Sequence, residues 1–138
     1  MDIGDNFQDT GYWELAIKDY NEAIRLNDSY FEAYDHRGLA HHEMGNHQLA
    51  IADFTEAIRI NPKDAFAYNN RGNSHGDMGN PQLAIDDYPQ AIRIDPEYAT
   101  AYYNRSEAHK ELGNNEQADA DYAEAIRLDP SLAYLNNQ

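Results

Sequence analysis

The chain contains no cysteine among its 138 residues. Disulfides, thiolate metal sites and cysteine nucleophiles are thereby excluded together, and the composition fits a reducing compartment such as the cytoplasm. Basic residues are scarce, with 10 Lys and Arg against 25 Asp and Glu, for a net charge of −15. Nucleic-acid binding relies on cations that neutralise phosphates, so this balance argues against it, and against an anionic membrane surface. No apolar run approaches the roughly 20 residues that cross a bilayer, and no signal-peptide pattern opens the sequence. Only one tryptophan is present, and much of the 41% hydrophobic content is alanine and tyrosine. Small apolar side chains suit closely packed helices better than a thick interior. Partners are expected to be proteins or peptides, neutral or basic where they touch.

A repeat organises what is there. The segments "LAIKDYNEAIRLND" from Leu15, "LAIADFTEAIRINP" from Leu49, "LAIDDYPQAIRIDP" from Leu83 and "QADADYAEAIRLDP" from Gln117 follow one another at intervals of 34 residues. Glycine recurs at Gly11, Gly45, Gly79 and Gly113, alanine at Ala16, Ala50, Ala84 and Ala118, and an aromatic at Tyr20, Phe54, Tyr88 and Tyr122. Apolar positions within each segment step by three and four, which is helical spacing. Upstream, "FEAYDHRGLAHHEM" reads as a second helix closed by Gly45–Asn46, glycine being suited to the left-handed residue beyond a helix C-terminus. Asn61–Pro62, Asp95–Pro96 and Asp129–Pro130 end the later helices. The unit is a helix–turn–helix hairpin.

In length and in these columns the chain resembles tetratricopeptide repeats (TPRs). Residues Phe31–Asp64, Ala65–Tyr98 and Ala99–Leu132 form full units, Met1–Tyr30 a first unit lacking its opening residues, and residues 133–138 a C-terminal stub. The sequence departs from the family pattern at several columns. Tyr34, Tyr68 and Tyr102 stand where Trp is usual, Arg37, Arg71 and Arg105 where Leu is, and His41, His75 and His109 where Tyr is. The resemblance implies an all-α, right-handed superhelical solenoid of antiparallel helix pairs, forming one domain of four hairpins.

Pro89 falls in the middle of "LAIDDYPQAIRIDP", in register with Asn21, Thr55 and Ala123. A helix-interior proline costs roughly 3 kcal/mol. Packing on both sides should keep the helix, bent at that point, and should leave residues 65–98, which also carry Gly72 and Gly76, as the least stable unit.

Two further columns repeat at the same interval. Arg37, Arg71 and Arg105 match Asp19, Asp53, Asp87 and Asp121, which suggests a ladder of ion pairs between paired helices. His41, His75 and His109 share a face, but successive repeats stack at roughly 8–10 Å, too far for their histidines to converge on one ion. Core packing is the expectation for them, and neither a metal nor another cofactor is expected. No phosphate-binding glycine loop, calcium-binding loop or nucleophile elbow occurs, so no active site can be built from these residues.

The resemblance also implies a concave groove that receives an extended peptide or a partner helix. On this sequence its face carries Asp35, His36, Leu39 and His42, then Phe66, Asn69, Asn70 and Asn73, then Tyr103, Asn104 and Glu107. The asparagines suit a peptide backbone, and Phe66 and Tyr103 offer apolar contact. Cochaperone-type TPR domains hold a C-terminal carboxylate with asparagines and cations. Here Asn73 and Asn104 match, but Asn69 stands where lysine is required, and a face rich in Glu and Asp disfavours a carboxylate. The function implied is a non-catalytic protein–protein interaction module. The alternative is a self-assembling scaffold, stacking head-to-tail through terminal repeats whose apolar faces, such as Tyr122 and Ile126, lack a cap.

Overall fold

The computed structural model describes residues 3–136, with side chains from residue 10 to residue 134. Met1, Asp2, Asn137 and Gln138, which the repeat register places in the first unit and in the stub, lie outside the described residues. The helices are α1 (Ile3–Leu26), α2 (Phe31–Glu43), α3 (His47–Ile60), α4 (Ala65–Asp77), α5 (Pro81–Ile94), α6 (Ala99–Glu111) and α7 (Asn115–Leu128). A 3-10 turn at Pro130–Leu132 leads into a short α8 (Ala133–Asn136). The chain divides into two compact units, Met1–Lys63 and Asp64–Gln138.

In the first unit α2 and α3 form a hairpin, and α1 packs on α2. In the second, α4 pairs with α5, α5 packs on α6, and α6 pairs with α7. The turn within each hairpin is made by Gly45, Gly79 and Gly113, whose φ values of 82°, 82° and 79° lie in the left-handed region that side chains disfavour. Alanine fills the interior. Ala40, Ala50 and Ala57 in the first unit, and Ala67, Ala84, Ala91, Ala101 and Ala125 in the second, are fully buried.

Small residues set how closely paired helices approach. A Cβ built on Gly38 would sit 2.8 Å from Cε1 of Phe54, and one on Gly72 would sit 2.7 Å from Cε1 of Tyr88. The third hairpin has Ser106 at this position, fully buried, with Oγ donating to the Ala118 carbonyl at 2.7 Å. Its aromatic, Tyr122, is only half-buried and lies instead near Tyr103 and Lys110. One added side chain on the first helix thus coincides with a ring that is not packed down between the two.

The first unit differs from the expected hairpin. Gly11 aligns with the three turn glycines, yet α1 runs through it without a break, so the expected turn does not form. The sequence supplies a reason. Ile3 occupies the arginine column, and Tyr12 replaces the asparagine that follows Gly45, Gly79 and Gly113. Reversal at Gly11 would therefore gain no ion pair to Asp19, and a continuous helix keeps its backbone bonds.

Pro89 lies inside α5, which continues past it to Ile94. The proline removes the N–H that the Ile85 carbonyl would accept, while Tyr88 and Ala91 on either side are buried. Beyond α7, Leu132 is buried and the 3-10 turn packs on α7, and Ile126 is half-buried.

Pro89→Ala is expected to raise stability by about 1–3 kcal/mol in urea denaturation. Native-state hydrogen exchange should show weaker protection in residues 65–98 than in residues 31–64, and the same substitution should narrow that gap. Gly38→Ala is expected to destabilise by about 1–3 kcal/mol, because the Phe54 ring must move.

Candidate peptide-binding face

One chain of contacts recurs in all three hairpins and fixes the helices that present the face. Arg37 donates from Nε and Nη2 to the two carboxylate oxygens of Asp53 at 2.8 and 2.7 Å. Arg71 does the same to Asp87 at 2.9 and 2.7 Å, and Arg105 to Asp121 at 2.7 and 2.7 Å. Each guanidinium also lies over the ring of the tyrosine three residues earlier, at 5.5 Å for Tyr34, 5.5 Å for Tyr68 and 5.7 Å for Tyr102. Two parallel bonds between partly buried ions are strong and directional. The aspartate hydrogen bond comes first among the causes that hold all three arginines above their usual range.

The ladder read from the sequence is thus present in three rungs. Asp19, the fourth aspartate of the column, is exposed and has no arginine. Arg37 instead reaches α1 through Nη1, which donates to Asn21 Oδ1 at 2.8 Å. The histidine column packs beside the ladder. His41 Nε2 lies 3.8 Å from Asp53, His75 Nε2 3.9 Å from Asp87, and His109 Nε2 3.8 Å from Asp121. Burial pushes His41 and His75 below the usual histidine range. Asp53 and Asp87 oppose that shift, and the neighbouring Arg37 and Arg71 add to it.

In the second unit the anticipated face is carried by α4 and α6. Asn104 Nδ2 donates to Asn69 Oδ1 at 3.0 Å, joining the two helices. Asn70 Nδ2 donates to the Phe66 carbonyl at 3.0 Å, and its Oδ1 lies 3.5 Å from Asn73 Nδ2. Asn73 Oδ1 in turn accepts from the Tyr88 hydroxyl at 2.7 Å. Tyr88 is 3% exposed, and its burial holds the hydroxyl well above the usual tyrosine range, so it stays a donor. Phe66, Asn70, Asn73, Tyr103 and Asn104 are half-buried, while Glu107 is exposed and paired with Lys110 at 3.3 Å. The structure therefore gathers these side chains into one pre-set amide strip.

Two of the anticipated residues fall elsewhere. Asp35 and Asn69 are 6% and 3% exposed, so they belong to the packing beneath the face and are not surface contacts. Of the remaining α2 residues, His36 is exposed and stacks on Tyr20 with ring centroids 5.4 Å apart. Leu39 and His42 are half-buried, and the His42 ring meets His47 at 4.9 Å. The reading of the sequence placed Tyr88 in the aromatic column but not at this face. The signal for Tyr88 was present. Where the first full hairpin has Leu39 and Phe54, the second has Asn73 and Tyr88 at the same registers, so amide and hydroxyl change together.

Models of the tetratricopeptide repeat match residues 32–64, 65–98 and 99–132, and a further TPR repeat model matches residues 4–45. The chain belongs to the tetratricopeptide repeat family. Its fold is an all-α TPR solenoid, and such repeats are protein–protein interaction modules. No curated protein sequence matches it. Among solved structures it is similar to MamA, with 26% identity over 94% of this chain and 76% of that one, at a TM-score of 0.81. The TPR domain of Arabidopsis OM64 is 30% identical over 73% of this chain and 84% of that one, at 0.72. The second TPR of Spaghetti (RPAP3), bound to the HSP90 peptide SRMEEVD, is 25% identical over 78% of this chain and 99% of that one, at 0.71.

The half-buried histidines give a pH dependence with a definite sign. With the folded values of His41 and His75 depressed, the unfolded chain binds protons that the folded chain resists. Their contribution is full above the unfolded value of about 6.5 and declines as pH falls from there towards the folded values. Urea midpoints should drop between pH 7.5 and 5.5, and the double substitution His41→Gln, His75→Gln should flatten that slope. An unchanged slope would assign the acid sensitivity to other groups.

Proposed function

We propose that this chain is a non-catalytic interaction module whose α4–α6 face binds an extended peptide segment or a partner helix that is neutral or basic at the contact. The observation that carries the reading is the amide strip. Asn70, Asn73 and Asn104 are half-buried and held in place by internal bonds to Phe66, Tyr88 and Asn69. Side chains fixed before binding lose little entropy on contact. Among the described residues, Asn104 Oδ1 has no protein donor, which suits it to accept from a peptide N–H. Tyr103 beside it supplies an amphipathic surface of the kind enriched at interfaces. In the other unit the same reading takes in His36, Leu39 and His42.

Charge separates this face from one that grips an acidic tail. The peptide SRMEEVD in the similar Spaghetti structure carries acids at its end. Here Asp77, Glu107 and Glu111 accompany Lys110 on α4 and α6, and Lys110 is paired with Glu107. Head-to-tail assembly is the second reading, supported by exposed apolar side chains such as Tyr134 and Leu112. Light scattering over a wide concentration range separates the two: a mass constant near 15.8 kDa supports a monomeric module, and a climbing mass supports assembly.

Panning a random peptide display library against the full chain should enrich neutral or basic sequences. Asn70→Ala with Asn104→Ala is expected to weaken the selected peptide at least about tenfold. Asn73→Leu is best combined with Tyr88→Phe, which gives the residues found at these registers in the sister hairpin, because Asn73→Ala alone would strand a buried hydroxyl at a cost of about 1–3 kcal/mol. Enrichment of acidic C-terminal sequences, or binding unaffected by these changes, would refute the proposal.

A further inference from the structure

Among the described residues, one helix face lacks the neighbour that the related faces of α3, α5 and α7 possess. In α3 and α5 the positions facing the preceding helix of the hairpin are an alanine, an aspartate, an aromatic and a second alanine, and α7 keeps the alanines and the aspartate while its aromatic, Tyr122, is half-buried. Ala50, Ala84 and Ala118 are at most 1% exposed, Asp53, Asp87 and Asp121 lie between 5 and 7%, and Ala57, Ala91 and Ala125 are at 0%. Phe54 and Tyr88 are at 0% and 3%. The matching residues of α1 are Ala16, Asp19, Tyr20 and Ala23. Ala16, Tyr20 and Ala23 are only half-buried, and Asp19 is exposed. Because α1 continues through Gly11, no helix among the described residues precedes α1 and folds over this face. Tyr12, Leu15, Ala16, Asp19 and Tyr20 line an open depression of about 340 Å³ there, with the Tyr20 ring turned onto His36.

The same chain shows three times what covers such a face. In each case it is a helix with a tyrosine, an arginine three residues on, and a glycine or serine directly after. Arg37, Arg71 and Arg105 each place two nitrogens on the aspartate, and Gly38 and Gly72 admit the ring of the facing aromatic. All three arginines are engaged, so none is left for Asp19. The residue in the arginine register before α1's face is Ile3, which offers no charge.

We propose that the Ala16–Asp19–Tyr20–Ala23 face of α1 is a docking site for a helix of another polypeptide bearing this aromatic, arginine and small-residue pattern. The arginine binds the Asp19 carboxylate through two parallel bonds, and the small residue lets the helix approach the Tyr20 ring. The site is separate from the α4–α6 face and does not depend on it. Its occupant is recognised by one buried charge pair in an apolar setting, an arrangement that discriminates strongly against a helix without the arginine.

The test uses the full chain and a fluorescent synthetic peptide with the sequence of residues 31–46, the first of the three internal examples. Saturable binding is expected, weakened at least about tenfold by Asp19→Asn in the protein and equally by R37M in the peptide. Hydrogen exchange should gain protection at Ala16–Ala23. Asp19 is exposed, so Asp19→Asn should leave the urea midpoint unchanged. Three results would overturn the proposal. Absence of binding would mean that the face takes no helix of this pattern. Protection centred on α3 would mean that the peptide displaces α2 instead. Self-association of the chain alone that Asp19→Asn abolishes would assign the face to a second copy.

Discussion

Each complete hairpin is closed by one arginine bound through two nitrogens to an aspartate sixteen residues later, and the remaining contacts are arranged around that pair. The guanidinium is flanked by a tyrosine ring on its own helix, and the aspartate by a histidine at 3.8–3.9 Å. A partly buried pair of this geometry is not a large source of net stability, because desolvation offsets much of the attraction. Removing one member, however, leaves a charge that water reaches poorly, at a cost of about 3–5 kcal/mol for a fully buried pair. The pair therefore acts chiefly as a register lock. Alanine surfaces slide easily past one another, and a bidentate contact permits a single alignment.

The structure tests that account where the lock is missing. The first repeat has the aspartate, the alanines, the aromatic and the turn glycine, but no arginine, and its hairpin does not form. Gly11 thus shows that a turn glycine is permissive and not decisive. With a negative φ it simply sits in a helix, at the modest cost glycine carries there. The partner is what makes reversal worthwhile, and without it the α1 face is left open.

Variation among the three complete hairpins explains why their surfaces differ although their packing repeats. Replacing Leu39 and Phe54 by Asn73 and Tyr88 keeps the volume similar and adds one hydrogen bond, which orients an amide at the surface. Exchanging Gly38 or Gly72 for Ser106 fills the space a ring would use, and the aromatic of that hairpin lies instead towards Tyr103 and Lys110. A change of one or two atoms at an interior position is thereby converted into a different surface, because a close-packed interface has no slack to absorb it.

The 34-residue period, the hairpin unit, the turn glycines, the arginine–aspartate columns and the survival of a helix through Pro89 were all legible in the sequence, because each is a local pattern repeated several times. Helical spacing also fixes that Phe66, Asn70 and Asn73 share a side of α4, and that Asn104 and Glu107 share a side of α6. Three things were decided only by the tertiary structure. Asp35 and Asn69 became buried, because exposure depends on how deeply a neighbouring helix settles. Asn73 was tied to Tyr88, a contact between residues fifteen apart on different helices. The Gly11 turn was abandoned, because whether a chain reverses depends on the partner waiting for it and not on the residue at the bend.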